Sequence, residues 1–441
     1  MRHRQMRALA ARRSILSLGI AMLVAMLVAS SAFGADPRTK RVSVKTGGGQ
    51  VTAGSFDAVV SADGRFVAFH SSAPGLVPGD TNTVQDVFVH DRRKKRTRRV
   101  SVKSNGAQAD GSSGGPALSA SGRFIAFGSR ATNLVKGDDN AVDDVFVHDR
   151  KTKKTRRVSV RSNGVEGNDD SSHPSISANG RYVAFQSKAS NLVRNDDNGV
   201  DDVFVHDRRT GKTKRVSVRS NGVEGDDRSL QSAVSPDGRY VAFASRAENL
   251  VGKDDNGRSD VFVHDRKMKK TQRVSVKNGG GQAEGGSFNP SISPKGRYVA
   301  FTSGAANIVG NDDNESEDVF LRDRKARKTK RVSVRTDGGE GDGSSFEPAV
   351  SADGRFVFFA TDATDLVNND HNDSTDILRR DRKKKKTKRI SVRNRGGESQ
   401  DHSEDPRVTP DGRWVVFESS AKLVGADTND EWDIYIRGPL R

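Results

Sequence analysis

The chain has 441 residues, of which 33% are apolar and 44 are glycine, and this composition favours many short strands over long helices. It contains no cysteine, which excludes disulfide bonds and thiolate metal sites. The formal net charge of +18 favours anionic partners or surfaces.

The first 35 residues have the pattern of an export signal. A basic stretch, MRHRQMRALAARR, precedes the apolar run ILSLGIAMLVAMLVA and the small residues SSAFGA. This pattern predicts a signal peptide over residues 1–35, with an uncleaved membrane anchor as the alternative. RRSIL resembles a twin-arginine signal, although Ala11 stands where that pattern has Ser or Thr, so Sec and twin-arginine export both stay open. We expect a periplasmic or extracellular protein with no membrane span after cleavage.

A motif typified by SADGRFVAF returns every 58 residues through the rest of the chain. It begins at Ser61, Ser119, Ser177, Ser235, Ser293, Ser351 and Thr409. Residues 36–441 number 406, which equals seven periods. The repeat therefore fills the predicted mature chain and leaves no room for a second domain.

Each repeat contains four short apolar runs separated by Gly, Asp and Asn, which predicts four strands. In the third repeat these runs are PSIS, GRYVAF, DDVFVHD and KRVSV. Seven such units predict an all-β fold, a seven-bladed β-propeller of four-stranded antiparallel blades over residues 36–441. One RVSV run precedes the first complete repeat, and the chain ends after the third strand of the last. We therefore expect Lys40–Val44 to supply the missing outer strand of the seventh blade and close the ring.

The S-x-D-G-R-[FY]-[IV]-A-F motif resembles the WD-like propeller repeat of TolB-like proteins, and the resemblance covers all of residues 36–441. It implies the propeller fold, and a role as an envelope adaptor that binds a partner protein is one function it suggests. A repeat of this kind is specific for fold and weak for function. The N-terminal α/β domain that TolB carries ahead of its propeller has no counterpart in the sequence, which argues against a role in a Tol-Pal system.

An acidic cluster precedes the third strand of every repeat, as in KGDDNAVDDVFVHDR from Lys136 to Arg150. Counting from the first Asp of the cluster, positions three and seven are Asn and Asp in all seven repeats, whereas the positions between them vary. The triplets are Asp80, Asn82, Asp86; Asp138, Asn140, Asp144; Asp196, Asn198, Asp202; Asp254, Asn256, Asp260; Asp312, Asn314, Asp318; Asp370, Asn372, Asp376; and Asp427, Asn429, Asp433.

Three oxygen donors and a backbone carbonyl in one tight loop suit a hard cation, so Ca²⁺ is the candidate cofactor. The spacing resembles a shortened D-x-[DN]-x-D-G calcium loop without the Asp at position five and the Gly at six. The alternative is an ion-free turn in which the Asp and Asn side chains accept backbone N–H groups. A transition metal is disfavoured because the loops offer no thiolate and almost no imidazole.

A serine occupies the turn into the first strand of every repeat. Because the innermost strands of a propeller line its channel, these serines are candidate ligand contacts at the channel mouth, with turn formation as the alternative. They are Ser55, Ser113, Ser171, Ser229, Ser287, Ser345 and Ser403.

Basic hairpins follow the third strand in six repeats, from RRKKRTRR to RKKKKTKR. Without the five arginines of residues 1–35, the chain keeps 70 basic against 57 acidic residues, a formal charge of +13. This charge predicts salt-sensitive attraction to an anionic envelope polymer or lipid surface. The hairpins contain no aromatic residue for base stacking, so specific nucleic-acid binding is not predicted.

The histidines form no catalytic pattern. One position of the third strand is occupied by His90, His148, His206, His264, Arg322 and Arg380. A position that accepts either His or Arg predicts a solvated strand edge. Four other histidines are not repeated: His70, His173, His371 and His402. Convergence of His173, His371 or His402 in the channel would favour an enzyme.

Together these features predict an exported, monomeric, non-enzymatic binding scaffold. Its expected partner is a protein or an anionic envelope polymer, and calcium is its candidate cofactor. The alternatives are a propeller enzyme, either a lyase or a hydrolase, acting on polysaccharide, and a TolB-like envelope adaptor.

Overall fold

The computed structural model describes residues 36–440, so the predicted signal peptide lies outside the described residues. These residues form 28 strands in seven four-stranded antiparallel sheets. They also contain one 3₁₀ turn, Pro294–Gly296, and none of their helical segments has the length and apolar character to cross a membrane.

The predicted seven-bladed β-propeller is confirmed. From the innermost to the outermost strand, the blades are: blade 1, β2 (Ser55–Val60), β3 (Phe66–Ser71), β4 (Asp86–Asp91), β5 (Arg96–Arg99); blade 2, β6 (Ser113–Leu118), β7 (Phe124–Ser129), β8 (Asp144–Asp149), β9 (Lys154–Arg157); blade 3, β10 (Ser171–Ile176), β11 (Tyr182–Ser187), β12 (Asp202–Asp207), β13 (Lys212–Arg215); blade 4, β14 (Ser229–Val234), β15 (Tyr240–Ser245), β16 (Asp260–Asp265), β17 (Lys270–Arg273); blade 5, β18 (Ser287–Ile292), β19 (Tyr298–Ser303), β20 (Asp318–Asp323), β21 (Lys328–Arg331); blade 6, β22 (Ser345–Val350), β23 (Phe356–Thr361), β24 (Asp376–Asp381), β25 (Lys386–Arg389); and blade 7, β26 (Ser403–Val408), β27 (Val415–Ser419), β28 (Asp433–Gly438), β1 (Arg38–Arg41).

The N-terminal strand closes the ring, as predicted, but it begins and ends earlier in the sequence. Strand β1 pairs antiparallel with β28. The prediction of Lys40–Val44 for this strand is therefore wrong in its bounds. The backbone hydrogen-bond ladder between β1 and β28 ends early because the next donor along β28 bonds to a side chain. Ile434 N–H donates to the hydroxyl of Ser43 at 3.0 Å instead of to a backbone carbonyl.

The hydrophobic core lies between neighbouring blades. In one of its seven clusters, Val89 and Val100 of blade 1 pack with Phe127 and Phe146 of blade 2. The equivalent cluster at the closure joins residues of blade 7, such as Ile434, to blade 1. Closure therefore buries the same kind of apolar surface as every other junction, which is how repeat architectures gain stability.

Deleting residues 36–41 from a chain that starts at residue 36 should lower the free energy of unfolding by about 3 kcal/mol or more, because the deletion leaves the buried carboxylates of Asp427 and Asp433 without Arg41. Urea denaturation measures the effect. The control is the double variant Arg38→Gln, Lys40→Gln, which removes two exposed charges and keeps the strand. Equal losses in both proteins would contradict closure by β1.

Candidate functional site

The acidic cluster of each blade binds an arginine of the same blade. In blade 2, Arg157 Nη1 lies 3.1 Å from Asp138 Oδ1 and 3.0 Å from Asp144 Oδ2. This arginine is the first residue of the RVSV run and the last of the outermost strand. We call the arrangement the arginine clamp, and its arginines are Arg41, Arg99, Arg157, Arg215, Arg273, Arg331 and Arg389. The carboxylates predicted to hold a metal thus already contact a cation.

The asparagine of each triplet links the loop to the segment that leads to the next blade. Asn140 Nδ2 donates to the carbonyl of Gly167 at 2.8 Å, and Asn140 Oδ1 accepts from Val142 N–H at 3.3 Å. The Nδ2 bond recurs in all seven blades at 2.8 to 2.9 Å. This geometry supports the ion-free turn that the sequence leaves open as the alternative to calcium.

Four clamps contain a third carboxylate. Glu166 joins Asp138 and Asp144 on the guanidinium of Arg157, and the oxygens of the three carboxylates lie within 4.8 Å of one another. Glu224, Glu340 and Glu398 do the same in blades 3, 5 and 6. Blades 1, 4 and 7 have glutamine instead. These acidic groups could hold a metal ion because one arginine neutralises only one of their three charges.

Burial is the largest cause of the raised pKa values in the clamps, including that of Asp254 in blade 4, which has no third carboxylate. Burial raises the pKa of Asp138 to about 6; Arg157 opposes this shift, and the charges of Asp144 and Glu166 add to it. In blade 6, burial raises the pKa of Asp370 to about 7. A buried carboxylate with a raised pKa lacks part of the positive charge that would stabilise its ionised form.

The serines predicted at the channel mouth are buried inside the blades. Ser113 Oγ lies 2.8 Å from Ser129 Oγ on the neighbouring strand, and the same pairing occurs in blades 3 to 7. Ser55 is equally buried. The hydroxyls of the other six serines are therefore used within the sheet, whereas Ser55 Oγ has no hydrogen-bond partner within residues 36–440. Ligand contact by these serines stays a prediction.

The solvated strand edge predicted for His90 and its equivalents is wrong. His90, His148, His206 and His264 are 5 to 6% exposed. Each ring Nδ1 lies 2.9 Å from a threonine hydroxyl of the outermost strand, and burial lowers each pKa to about 4. Arg322 and Arg380 fit the same place because each donates to the equivalent threonine at 2.9 Å.

The three unrepeated histidines whose convergence would have favoured an enzyme, His173, His371 and His402, do not converge. His371 N–H donates to Glu398 in a clamp, and His402 lies against Thr375. His173 lies on innermost strand β10. This separation removes the histidine site that would have favoured an enzyme.

The central channel carries a ring of polar residues that the sequence interpretation missed. Innermost strands of neighbouring blades contact one another all round the ring. Each innermost strand contains a bulge, and the third residue of the strand has a φ of +49 to +57°. We call these residues the channel ring, and they are Asp57, Gly115, His173, Gln231, Asn289, Glu347 and Asp405.

Side chains of the channel ring interact from blade to blade. Gln231 Nε2 donates to Asn289 Oδ1 at 2.6 Å, and Asp405 N–H donates to Glu347 Oε2 at 2.9 Å. Burial raises the pKa of Glu347 to about 7, and the charge of Asp405 adds to this shift. The sequence signal that could have found the ring is a position that departs from repetition while its neighbours repeat.

A third feature is the exposed edge of the outermost strands. The first and third residue of each outermost strand face solvent. We call these fourteen positions the rim; all are basic except Gln272, and the others are Arg38, Lys40, Arg96, Arg98, Lys154, Arg156, Lys212, Lys214, Lys270, Lys328, Lys330, Lys386 and Lys388. Within residues 36–440, none of these thirteen lies within 4 Å of a carboxylate oxygen.

The chain is a seven-bladed β-propeller, the fold that the resemblance to TolB-like propellers implies, and comparisons with solved propeller structures agree with this fold. No protein-family model and no curated protein matches the sequence.

Solved structures match at low sequence identity. TolB from Acinetobacter baumannii is 15% identical with a TM-score of 0.39, over 69% of this chain, which spans 58% of that TolB chain. An oligogalacturonate lyase in complex with manganese is 11% identical with a TM-score of 0.52, over 88% of this chain and 90% of the lyase. The propeller domain of the Trilobed protease from Pyrococcus furiosus is 10% identical with a TM-score of 0.50, over 84% of this chain and 92% of that domain.

Breaking one clamp should destabilise the propeller strongly. Arg157→Gln leaves the buried carboxylates of Asp138 and Asp144 without their cation, so we expect a loss of about 3 to 5 kcal/mol in urea denaturation. Arg156→Gln is the matched control. Arg156 is the neighbour of Arg157 on the same strand, its side chain faces solvent, and its loss should cost less than about 0.5 kcal/mol. Similar losses for both variants would show that the clamp contributes little.

Proposed function

We propose that the protein is exported and acts as a non-enzymatic binding scaffold whose rim holds an anionic polymer of the cell envelope. The observation that carries this proposal is the set of thirteen exposed cations of the rim, which no carboxylate of residues 36–440 neutralises. Basic surface residues that serve solubility alone are usually interspersed with acidic ones.

The repetition of the rim suits a long, charged ligand. A linear polymer can contact several blades at once, and each further contact is intramolecular, so many weak contacts add up to a high affinity. A small anion would gain nothing from this repetition.

A cleft between blades 3 and 4 supports the same proposal. It has a volume of about 640 Å³ and is lined by cations that include Lys212, Lys214, Arg219 and Lys269, with one acid, Asp207. Cavities of this size hold small-molecule ligands. One or two charged units of a polymer would fit there while the rest follows the rim.

The rim does not suit recognition of nucleic-acid bases. Among the Phe, Tyr and Trp side chains of residues 36–440, only Phe56 is exposed, and it lies on innermost strand β2 rather than on the rim. Binding of single-stranded nucleic acid draws on aromatic stacking as well as charge.

Two other functions rest on different observations. An enzyme acting on polysaccharide would use the polar channel, where the pKa of Glu347 is raised to about 7. A TolB-like adaptor would bind a partner protein, and it rests on the resemblance of the repeat.

Polymer binding can be measured with the mature chain and polygalacturonate, with neutral dextran as the uncharged control. We expect affinity that falls steeply with salt concentration. The triple variant Lys212→Gln, Lys214→Gln, Lys269→Gln should bind roughly a hundredfold more weakly, at about 1 kcal/mol for each cation near an anionic surface.

The matched control is Lys136→Gln, Lys188→Gln, Lys253→Gln, which removes the same charge from exposed loop positions that belong to neither the rim nor the cleft. Equal weakening by both triple variants would show that net charge alone attracts the polymer. A complete lack of binding at low salt would overturn the proposal. Release of new reducing or unsaturated ends would show that the scaffold is an enzyme, and tighter binding of an oligodeoxythymidine would favour nucleic acid.

Calcium in the clamps is a finer hypothesis, favoured by the third carboxylate in blades 2, 3, 5 and 6. An ion that binds only the folded state stabilises it, so millimolar Ca²⁺ should raise the midpoint of thermal unfolding above that in chelator. The quadruple variant Glu166→Gln, Glu224→Gln, Glu340→Gln, Glu398→Gln gives every blade the residue already present in blades 1, 4 and 7, and it should lose the Ca²⁺ response. An unchanged midpoint in the wild-type chain would exclude stabilisation by calcium.

A further inference from the structure

We propose that the central channel binds an organic cation, an ammonium or guanidinium group, where blade 7 meets blade 1. This site is separate from the rim and opposite to it in charge. The inference rests on a carboxylate cluster, an exposed aromatic ring beside the histidine that contacts this cluster, and open space in the neighbouring sector of the channel.

The carboxylates of Asp57, Asp405 and Glu418 have oxygens within 4.8 Å of one another. They come from two blades that the ring closure brings together. At the position of Glu418, blades 2, 4 and 6 have Gly128, Ala244 and Ala360. The cluster is therefore peculiar to this junction and is no part of the repeated frame.

Glu418 presents an unsatisfied oxygen to this cluster. The residue is only 8% exposed. One of its oxygens accepts the backbone N–H of Asp57, and the other has no hydrogen-bond partner within residues 36–440. Burial and the charges of Asp405 and Asp57 raise the pKa of Glu418. This second oxygen keeps access to solvent, so a cationic donor in the channel can reach it, and a hydrogen bond from a charged donor is stronger than a neutral one.

The protein supplies only part of the positive charge that the cluster needs. Arg407 Nη2 lies 2.7 Å from Asp405 Oδ1, and the Arg407 side chain is 45% exposed. The other basic contact is His70, whose Nδ1 lies 3.2 Å from Asp57 Oδ2. One guanidinium and one imidazole thus face three carboxylates, and Glu347 follows next along the channel ring.

An exposed aromatic ring lies beside His70, the imidazole that contacts Asp57. Phe56 precedes Asp57 and is 36% exposed. Its ring centroid lies 5.8 Å from that of His70 and 6.3 Å from that of Trp432 in blade 7. The face of an aromatic ring attracts cations, and an ammonium or guanidinium group can contact a ring and a carboxylate together.

The channel is open next to the cluster. In blade 2, the channel ring residue is Gly115, and a Cβ built there would meet no atom within 4 Å. Elsewhere in the ring, the side chains of Gln231 and Asn289 fill the equivalent space by bonding to each other. A ligand can therefore reach Asp57 from the side of blade 2.

The aromatic ring also separates an organic cation from a metal ion. Ca²⁺ takes six to eight oxygen ligands, and a phenyl ring offers none. An organic cation gains from both Phe56 and the carboxylates. Removal of the aromatic face should thus weaken binding of an organic cation and leave binding of a metal unchanged.

The test titrates cadaverine and ethylguanidinium into the full chain that starts at residue 36. Binding is followed by isothermal calorimetry and by tryptophan fluorescence, to which Trp414 and Trp432 both contribute. We expect saturable binding at one site per chain. Asp57→Asn should weaken it about tenfold or more, the size of a hydrogen bond to a charged group. Phe56→Leu should weaken it roughly threefold to fivefold, the size of an exposed cation–π contact.

Phe288→Leu is the matched control, because Phe288 holds the equivalent strand position in blade 5 and should leave affinity unchanged. Thermal melting of each variant checks that it is folded, and Phe56→Leu changes an exposed side chain that the fold does not need. Lack of saturable binding to either amine overturns the proposal, as does equal weakening by Phe288→Leu. Displacement by Mn²⁺ or Ca²⁺ with an affinity that Phe56→Leu leaves unchanged would show a metal site instead.

Discussion

The arginine clamp is the interaction on which the rest of this propeller depends. Its arginine side chains are only 4 to 9% exposed, and the aspartates they contact are equally buried. Burying such charges is acceptable only when they are paired, so removal of either partner leaves an unpaired charge inside the protein. The clamp joins the outermost strand to the loop before the third strand, and the asparagine joins that loop to the next blade. In blade 7 the arginine is Arg41, so closure of the ring uses the same interaction as each blade.

Each outermost strand separates the residues that hold the blade together from the exposed residues that make the chain basic. Along one outermost strand, Thr97 and Arg99 contact the rest of the fold, whereas Arg96 and Arg98 face solvent. The inward positions are fixed by packing and hydrogen bonds, and the outward positions are free to vary. Their occupation by cations in nearly every blade therefore serves no need of the blade itself. The repulsion among like charges on one strand is screened by salt, and an anionic partner would relieve it further.

Much of the fold could be predicted from the sequence because the motif recurs every 58 residues, and the number of copies gives the number of blades. The count of RVSV runs also predicted which end of the chain closes the ring. The strand bounds could not be predicted, because the hydroxyl of Ser43 replaces a backbone carbonyl and only coordinates show this. The clamp was half predicted: invariance identified the aspartates, but Arg157 lies on another strand, and carboxylates suited to calcium are equally suited to guanidinium. The buried histidines were misjudged because His and Arg can both donate to the same threonine.

The channel could not be found by looking for what repeats. Residues shared by all seven blades build the frame, whereas Asp57, Asp405, Arg407 and Glu418 depart from it at a single junction. That junction is also where the two ends of the propeller chain meet and where only β1 completes the sheet. A ligand that contacts both blade 7 and blade 1 binds the closed ring and not the open one. By linkage it must stabilise closure, so occupancy of the channel and integrity of the propeller are coupled.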